Sequence, residues 1–159
     1  MALVKGINSF ADVFEFDLLF ADRLDVSAAV TAAAATKAAA LITATDILNE
    51  LHWAGVVSNS NQELAFPRSG SYFDPRLGGR VYLDGTTIPA RITKATLFLA
   101  YHLLTNEGLQ DSTGKVIDLE VGSIHLTRIV APSVIPLKVK TIIKPLLVNS
   151  GANSWYRAN

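Results

Sequence analysis

The sequence predicts a mainly helical protein: a small bundle of about four helices with one long loop, a short β-hairpin and an extended C-terminal tail. Three observations predict it. Apolar residues recur at three-to-four spacing in four segments. Between Gly55 and Thr87 that period disappears and turn residues take over. Two short alternating runs flank Val121-Gly122. With 159 residues, half of them hydrophobic, the chain is long enough for one domain with a buried core.

The elements follow in order. Met1–Ile7 alternates weakly, as a short strand or an ordered arm. After Asn8-Ser9, Ala11–Leu24 reads as a first helix, with Val13, Phe16, Leu19/Phe20 and Leu24 on one face. Asp12 and Glu15 in its first turn and Arg23 in its last suit the helix dipole. Ala28–Leu51 is the longest helical candidate, rich in alanine, with Leu41, Ala44, Leu48 and Leu51 toward the core and Gly55 beyond its end. Ser58-Asn59-Ser60-Asn61, Pro67, Gly70, Pro75, Gly78-Gly79 and Asp84-Gly85 then mark a long loop, within which Arg80–Leu83 can pair briefly as a strand. Ile88-Pro89 opens the clearest helix, whose stripe is Ile88, Ile92, Ala95, Leu99 and Leu103. Val116–Glu120 and Ser123–Val130 form the hairpin. Pro136 starts a last helix to about Val148, which Pro145 should kink or weaken.

Composition excludes several classes. The absence of cysteine rules out a disulfide framework and thiolate metal sites. No run reaches 18 apolar residues, so no membrane span and no membrane partner are expected, and the N-terminal order does not match a secretory signal. A net charge of zero argues against bulk electrostatic capture of nucleic acid. The charge is nonetheless polarised: residues 1–50 carry seven acids against three bases, and residues 121–159 carry five bases and no acid. Such polarity suits subunits stacked end to end; it equally fits scattered solvated charge.

Chemistry is sparse. Gly108–Lys115 has five residues between its glycines and Val116 where a magnesium-binding hydroxyl is needed, and it follows a helix, so it is a turn and not a phosphate loop. His52, His102 and His125 lie on different elements without metal-ligand spacing. No serine nucleophile motif is present. The expectation is a protein that is not an enzyme and takes no cofactor or metal.

Two segments stand out as contact surfaces. Across the loop, residues 56–87, aromatics and arginines alternate: Phe66, Arg68, Tyr72, Phe73, Arg76, Arg80 and Tyr82. A protein interface, stacking on single-stranded nucleic acid, and a loop folded back on its own core are all open for it. Phe66, Arg68, Tyr72, Phe73, Arg76 and Arg80 are the candidate subunit or tail-side interface. The second segment is the basic C-terminal end, with Lys140, Lys144, Trp155, Tyr156 and Arg157, where two large aromatics call for docking on a partner or on the chain's own domain. The expected division is an adaptor domain, 1–148, and a docking tail, 149–159.

An ordered set of segments carries a resemblance: Ala44–Gly55, Gln62–Gly70, Ile88–Ala95, Leu99–Leu104, Val121–Ile124, Ile143–Leu147 and Asn153–Arg157. It spans nearly the whole chain and resembles the phage head–tail adaptor, or head-completion, family, relatives of which are also labelled DnaT-like single-stranded-DNA-binding proteins. The resemblance implies a virion protein, assembled in the host cytoplasm and forming a ring, commonly of twelve copies. It implies that the C-terminal residues dock on the portal, a tail or stopper protein sits on the loop face, and DNA crosses the channel without sequence specificity. The alternative reading is a single-stranded-DNA-binding replication accessory protein, which calls for a basic groove with stacking aromatics.

Overall fold

A computed structural model describes residues 2–24, 26, 31–105, 115–121, 124–130 and 134–148, with no side-chain description for 115–130. Its elements are α1 (Val13–Phe20), α2 (Ala34–Asn49), β1 (Val56–Val57), β2 (Arg68–Asp74), β3 (Gly79–Asp84), α3 (Ala90–Thr105), β4 (Lys115–Val121), β5 (Ile124–Val130) and α4 (Leu137–Ile143). A 3-10 turn, Lys144–Leu146, follows α4.

The fold is mixed α/β, which corrects the expected mainly helical bundle. The correction lies in residues 56–87: much of this loop is a three-stranded antiparallel sheet, ordered β1-β2-β3. The cause is local. Asp74-Pro75-Arg76-Leu77-Gly78-Gly79 makes a tight reversal, in which the Asp74 carbonyl accepts from the Leu77 and Gly78 amides at 3.1 and 2.9 Å, and Gly78 takes a positive φ. That turn aligns two alternating segments, from Ser69 opposite Asp84 to Asp74 opposite Gly79. The second hairpin, β4 against β5, pairs Lys115 with Val130 through Val121 with Ile124.

α1 and α4 are shorter than the helices expected there, while the expected start of the second helix at Ala28 lies outside the described residues. Asp12 and Glu15 form a reciprocal capping box, the Asp12 carboxylate accepting from the Glu15 amide at 2.8 Å and Glu15 from the Asp12 amide at 3.0 Å. α1 stops at Phe20, with Ala21 as its C-cap. Leu24, expected on the core face, is 95% exposed. In α2, Leu41, Ala44 and Leu48 are buried as their spacing requires, and Lys37 is buried too, its Nζ 2.7 Å from Asp17 of α1. α3 buries Ile92, Ala95 and Leu99 and packs against both α2 and α4. α4 buries Val139 and Ile143, and Pro145 falls in the 3-10 turn where the α-helix has ended.

One core joins these layers. Phe10, Phe16, Phe20, Trp53, Phe66 and Phe98 are buried in it beside the aliphatic residues of α2, α3 and α4. The chain after α4 is tied to the corner that follows α2: Ala54 N–H donates to the Leu146 carbonyl and Val148 N–H to that of His52, both at 2.9 Å. At the same corner Gly55 has φ +81°, and a Cβ there would run into the Ser69 carbonyl oxygen, so only glycine lets β1 approach β2.

Candidate functional site

The β2–β3 hairpin sorts the loop's aromatics and arginines into two groups. Directly opposed residues of an antiparallel pair share a face. Tyr72, Val81, Leu83 and Asp74 therefore look inward, and Tyr72 and Leu83 pack on the core. Ser69, Ser71, Phe73, Arg80, Tyr82 and Asp84 look outward. Phe73 sits opposite Arg80, and Tyr82 is its diagonal neighbour, a spacing of roughly 7 Å at which long side chains still reach one another. Phe73 is 58% exposed and Tyr82 80% exposed. Arg76, in the turn that joins the two strands, is exposed.

Of the six candidate loop residues, two lie on this outer face, Phe73 and Arg80, and Arg76 is exposed in the adjoining turn. Phe66 does not. It is 1% exposed, with its ring set edge-on to Trp53 at 5.1 Å and to Phe10 at 6.1 Å. Arg68 is a staple inside the fold. Its guanidinium donates to the carbonyls of Gly55, Ala54, Trp53 and Ala65 at 2.6, 3.0, 3.2 and 3.3 Å, and burial lowers its pKa. Tyr72 is half-buried. Tyr82, left out of the candidate interface, is the most exposed aromatic of the hairpin; its signal was the two-residue period Arg80-Val81-Tyr82-Leu83.

The acids around the hairpin are engaged. Asp74 faces Arg91 of α3 in a two-pronged pair, Oδ1 to Nη2 at 2.5 Å and Oδ2 to Nε at 3.2 Å, while Arg91 Nη1 also donates to the Ile142 carbonyl at 3.3 Å. That hydrogen bond with Arg91 is the main reason the Asp74 carboxyl is held below its usual pKa. At the other end, the Thr86 and Thr87 amides donate to Asp84 Oδ1 at 2.8 and 3.0 Å and pull its pKa down to about 2. Arg76 and Arg80 have no ion-pair partner among the described residues. The outer face thus offers two aromatic surfaces and one cation, Arg80, with Arg76 exposed in the adjoining turn.

At the C-terminal end, Lys140 and Lys144 are exposed on α4 and the turn after it. Trp155, Tyr156 and Arg157 lie outside the described residues. His52 is exposed and His102 half-buried, with burial lowering the pKa of His102. Among the described residues no three His, Asp or Glu side chains are grouped to hold a metal, and no helix is long and apolar enough to cross a membrane.

A family model described as "Putative DnaT-like ssDNA binding protein" matches residues 2–159. No curated protein and no protein of solved structure matches the chain.

Proposed function

The chain belongs to the DnaT-like single-stranded-DNA-binding family, and from that premise we propose that it binds single-stranded DNA without sequence preference, as a non-enzymatic protein, through the outer face of the β2–β3 hairpin. The observation that carries this reading is the juxtaposition of exposed Phe73 and Tyr82 with Arg80 on one face, with Arg76 exposed in the adjoining turn. Bases of any identity stack on aromatic rings, and arginines hold the intervening phosphates. Zero net charge does not oppose it, because Asp74 is turned inward and neutralised by Arg91, and Asp84, the acid of the outer face, lies at the opposite end of β3 from Arg80.

Fluorescence anisotropy of a labelled oligo-dT tests the proposal. Phe73→Ala and Tyr82→Ala should each weaken binding about five- to 150-fold, the worth of one stacked base at about 1–3 kcal/mol. Affinity unchanged in the double variant would sink it.

A second reading is favoured by a separate observation. Phe14 and Leu18, one turn apart on α1, are 74% and 67% exposed, and Leu137 of α4 is 80% exposed beside Lys140. Two separate exposed apolar faces on one subunit suit a head-to-tail contact between copies, which closes into a ring when the rotation fits. This supports a phage head–tail adaptor subunit, a virion protein whose ring joins the portal to a tail or stopper protein and whose hairpins meet DNA in transit. Light scattering of the purified chain, alone and with a portal, tests it: a monomer that ignores the portal would oppose the adaptor reading and leave DNA binding standing.

A further inference from the structure

The end of α1, the outer stripe of α3 and the start of α4 enclose a second surface with its own chemistry. Phe98 of α3 is 7% exposed, and two cations cover its ring: Lys138 Nζ lies 3.9 Å and Arg23 Cζ 4.9 Å from the centroid. Arg23 is further fixed by Nε donating to the Leu19 carbonyl at 2.9 Å. These interactions order both charged groups before any ligand arrives, so less side-chain freedom is given up on binding.

Two hollows of about 620 and 520 Å³ lie on either side of this cationic ridge and share Arg23, Phe98 and Lys138 as a common wall. The larger is walled further by Phe20, Leu24 and Tyr101, with the Phe20 and Tyr101 rings stacked at 5.0 Å. The smaller adds Lys94 and Leu137. Among the described residues none of Arg23, Lys94 and Lys138 forms an ion pair, and Asp22 is the one acid lining either hollow.

We propose that this ridge and its hollows are a second contact for single-stranded DNA, with a phosphate on Arg23, Lys94 and Lys138 and flanking bases against the apolar walls. The proposal rests on the single-stranded-DNA reading above and adds a site to it. A strand alternates anionic and flat apolar units, and the ridge with a hollow on each side alternates in the complementary sense. Arg91, Lys94, Phe98 and Tyr101 recur at three- and four-residue steps, so they share one stripe of α3.

The test uses the full chain and labelled oligo-dT over a series of salt concentrations. Arg23→Gln with Lys138→Gln should lower the slope of log affinity against log salt by about 0.7 for each phosphate that is no longer neutralised. Lys138→Arg alone should keep the wild-type slope. Phe73→Ala with Tyr82→Ala should weaken binding without changing the slope, because those rings carry no charge. If the wild type binds and the folded Arg23→Gln/Lys138→Gln protein keeps both affinity and slope, the ridge does not touch DNA while the hairpin reading stands. If the wild type does not bind, both fall. If the double variant loses self-association instead of DNA binding, the hollows belong to a protein partner and the proposal is overturned.

Discussion

Replacing Phe66 and Phe73 in parallel separates core from surface within one stretch of sequence. Phe66 is 1% exposed and edge-on to both Phe10 and Trp53. Phe66→Ala deletes a buried ring where the surrounding aromatics cannot collapse, a change that costs about 3–5 kcal/mol. Phe66→Leu keeps most of the volume but removes two edge-on ring pairs, each worth about 0.5–1.5 kcal/mol, and should cost about 1–3 kcal/mol. Phe73 is 58% exposed on the outer face, so Phe73→Ala should stay within about 0.5 kcal/mol. Urea unfolding followed by circular dichroism reads all three. With a slope of about 2 kcal/mol per molar, Phe66→Ala moves the midpoint down by about 2 M and Phe73→Ala hardly at all. A Phe66→Ala midpoint within about 0.5 M of wild type would refute the assignment of Phe66 to the core. An equal loss from Phe73→Ala would show that the hairpin's outer face is covered within the domain.

Other outcomes follow from the same geometry. Gly55→Ala should destabilise measurably in the same urea assay, because the new methyl group meets the Ser69 carbonyl at a positive-φ position; a neutral result would mean that β1 and β2 can separate there. Arg68→Ala should cost about 2 kcal/mol by leaving carbonyls of residues 53–55 without their charged donor, and Arg68→Lys should recover only part of it. Asp74 and Asp84 both titrate lower in the folded state, so their stabilisation is complete above about pH 4, the unfolded value, and is lost as pH falls through the folded values. Thermal melts should therefore drop most steeply between about pH 4 and 2, and Asp84→Asn should flatten that drop. Leu18→Ser should leave stability intact, and under the adaptor reading it should lower the mass seen by light scattering.

Much of the helical layer was legible because burial follows period: Leu41, Ala44 and Leu48, then Ile92, Ala95 and Leu99, occupy the face their spacing assigns. The ends were less legible. Leu24 continues the α1 stripe on paper, yet the helix stops four residues earlier, and apolar spacing alone does not report where a helix ends. Fold class failed at residues 56–87, where glycine, proline and asparagine read as one long loop although they punctuate a sheet. The decisive signal was shorter: Arg80-Val81-Tyr82-Leu83 has the two-residue alternation of a half-buried strand, and the Asp74–Gly79 reversal supplies its partner. The candidate site was half legible for the same reason. Without a register, Phe66 and Phe73 look equivalent; only strand pairing and the Trp53 ring send one inward and the other outward. The ridge over Phe98 was not legible, because Arg23, Lys94, Phe98 and Lys138 come from three separate segments that only tertiary packing brings together.

The central claim, that the outer face of the β2–β3 hairpin holds single-stranded DNA, is tested most directly by photo-crosslinking. An oligonucleotide carrying 5-iododeoxyuridine is irradiated in complex with the full chain, and the modified peptides are mapped by mass spectrometry. The account predicts adducts at Phe73 and Tyr82, the two aromatics exposed on that face. Adducts confined to other segments, with none on residues 68–84, would contradict it.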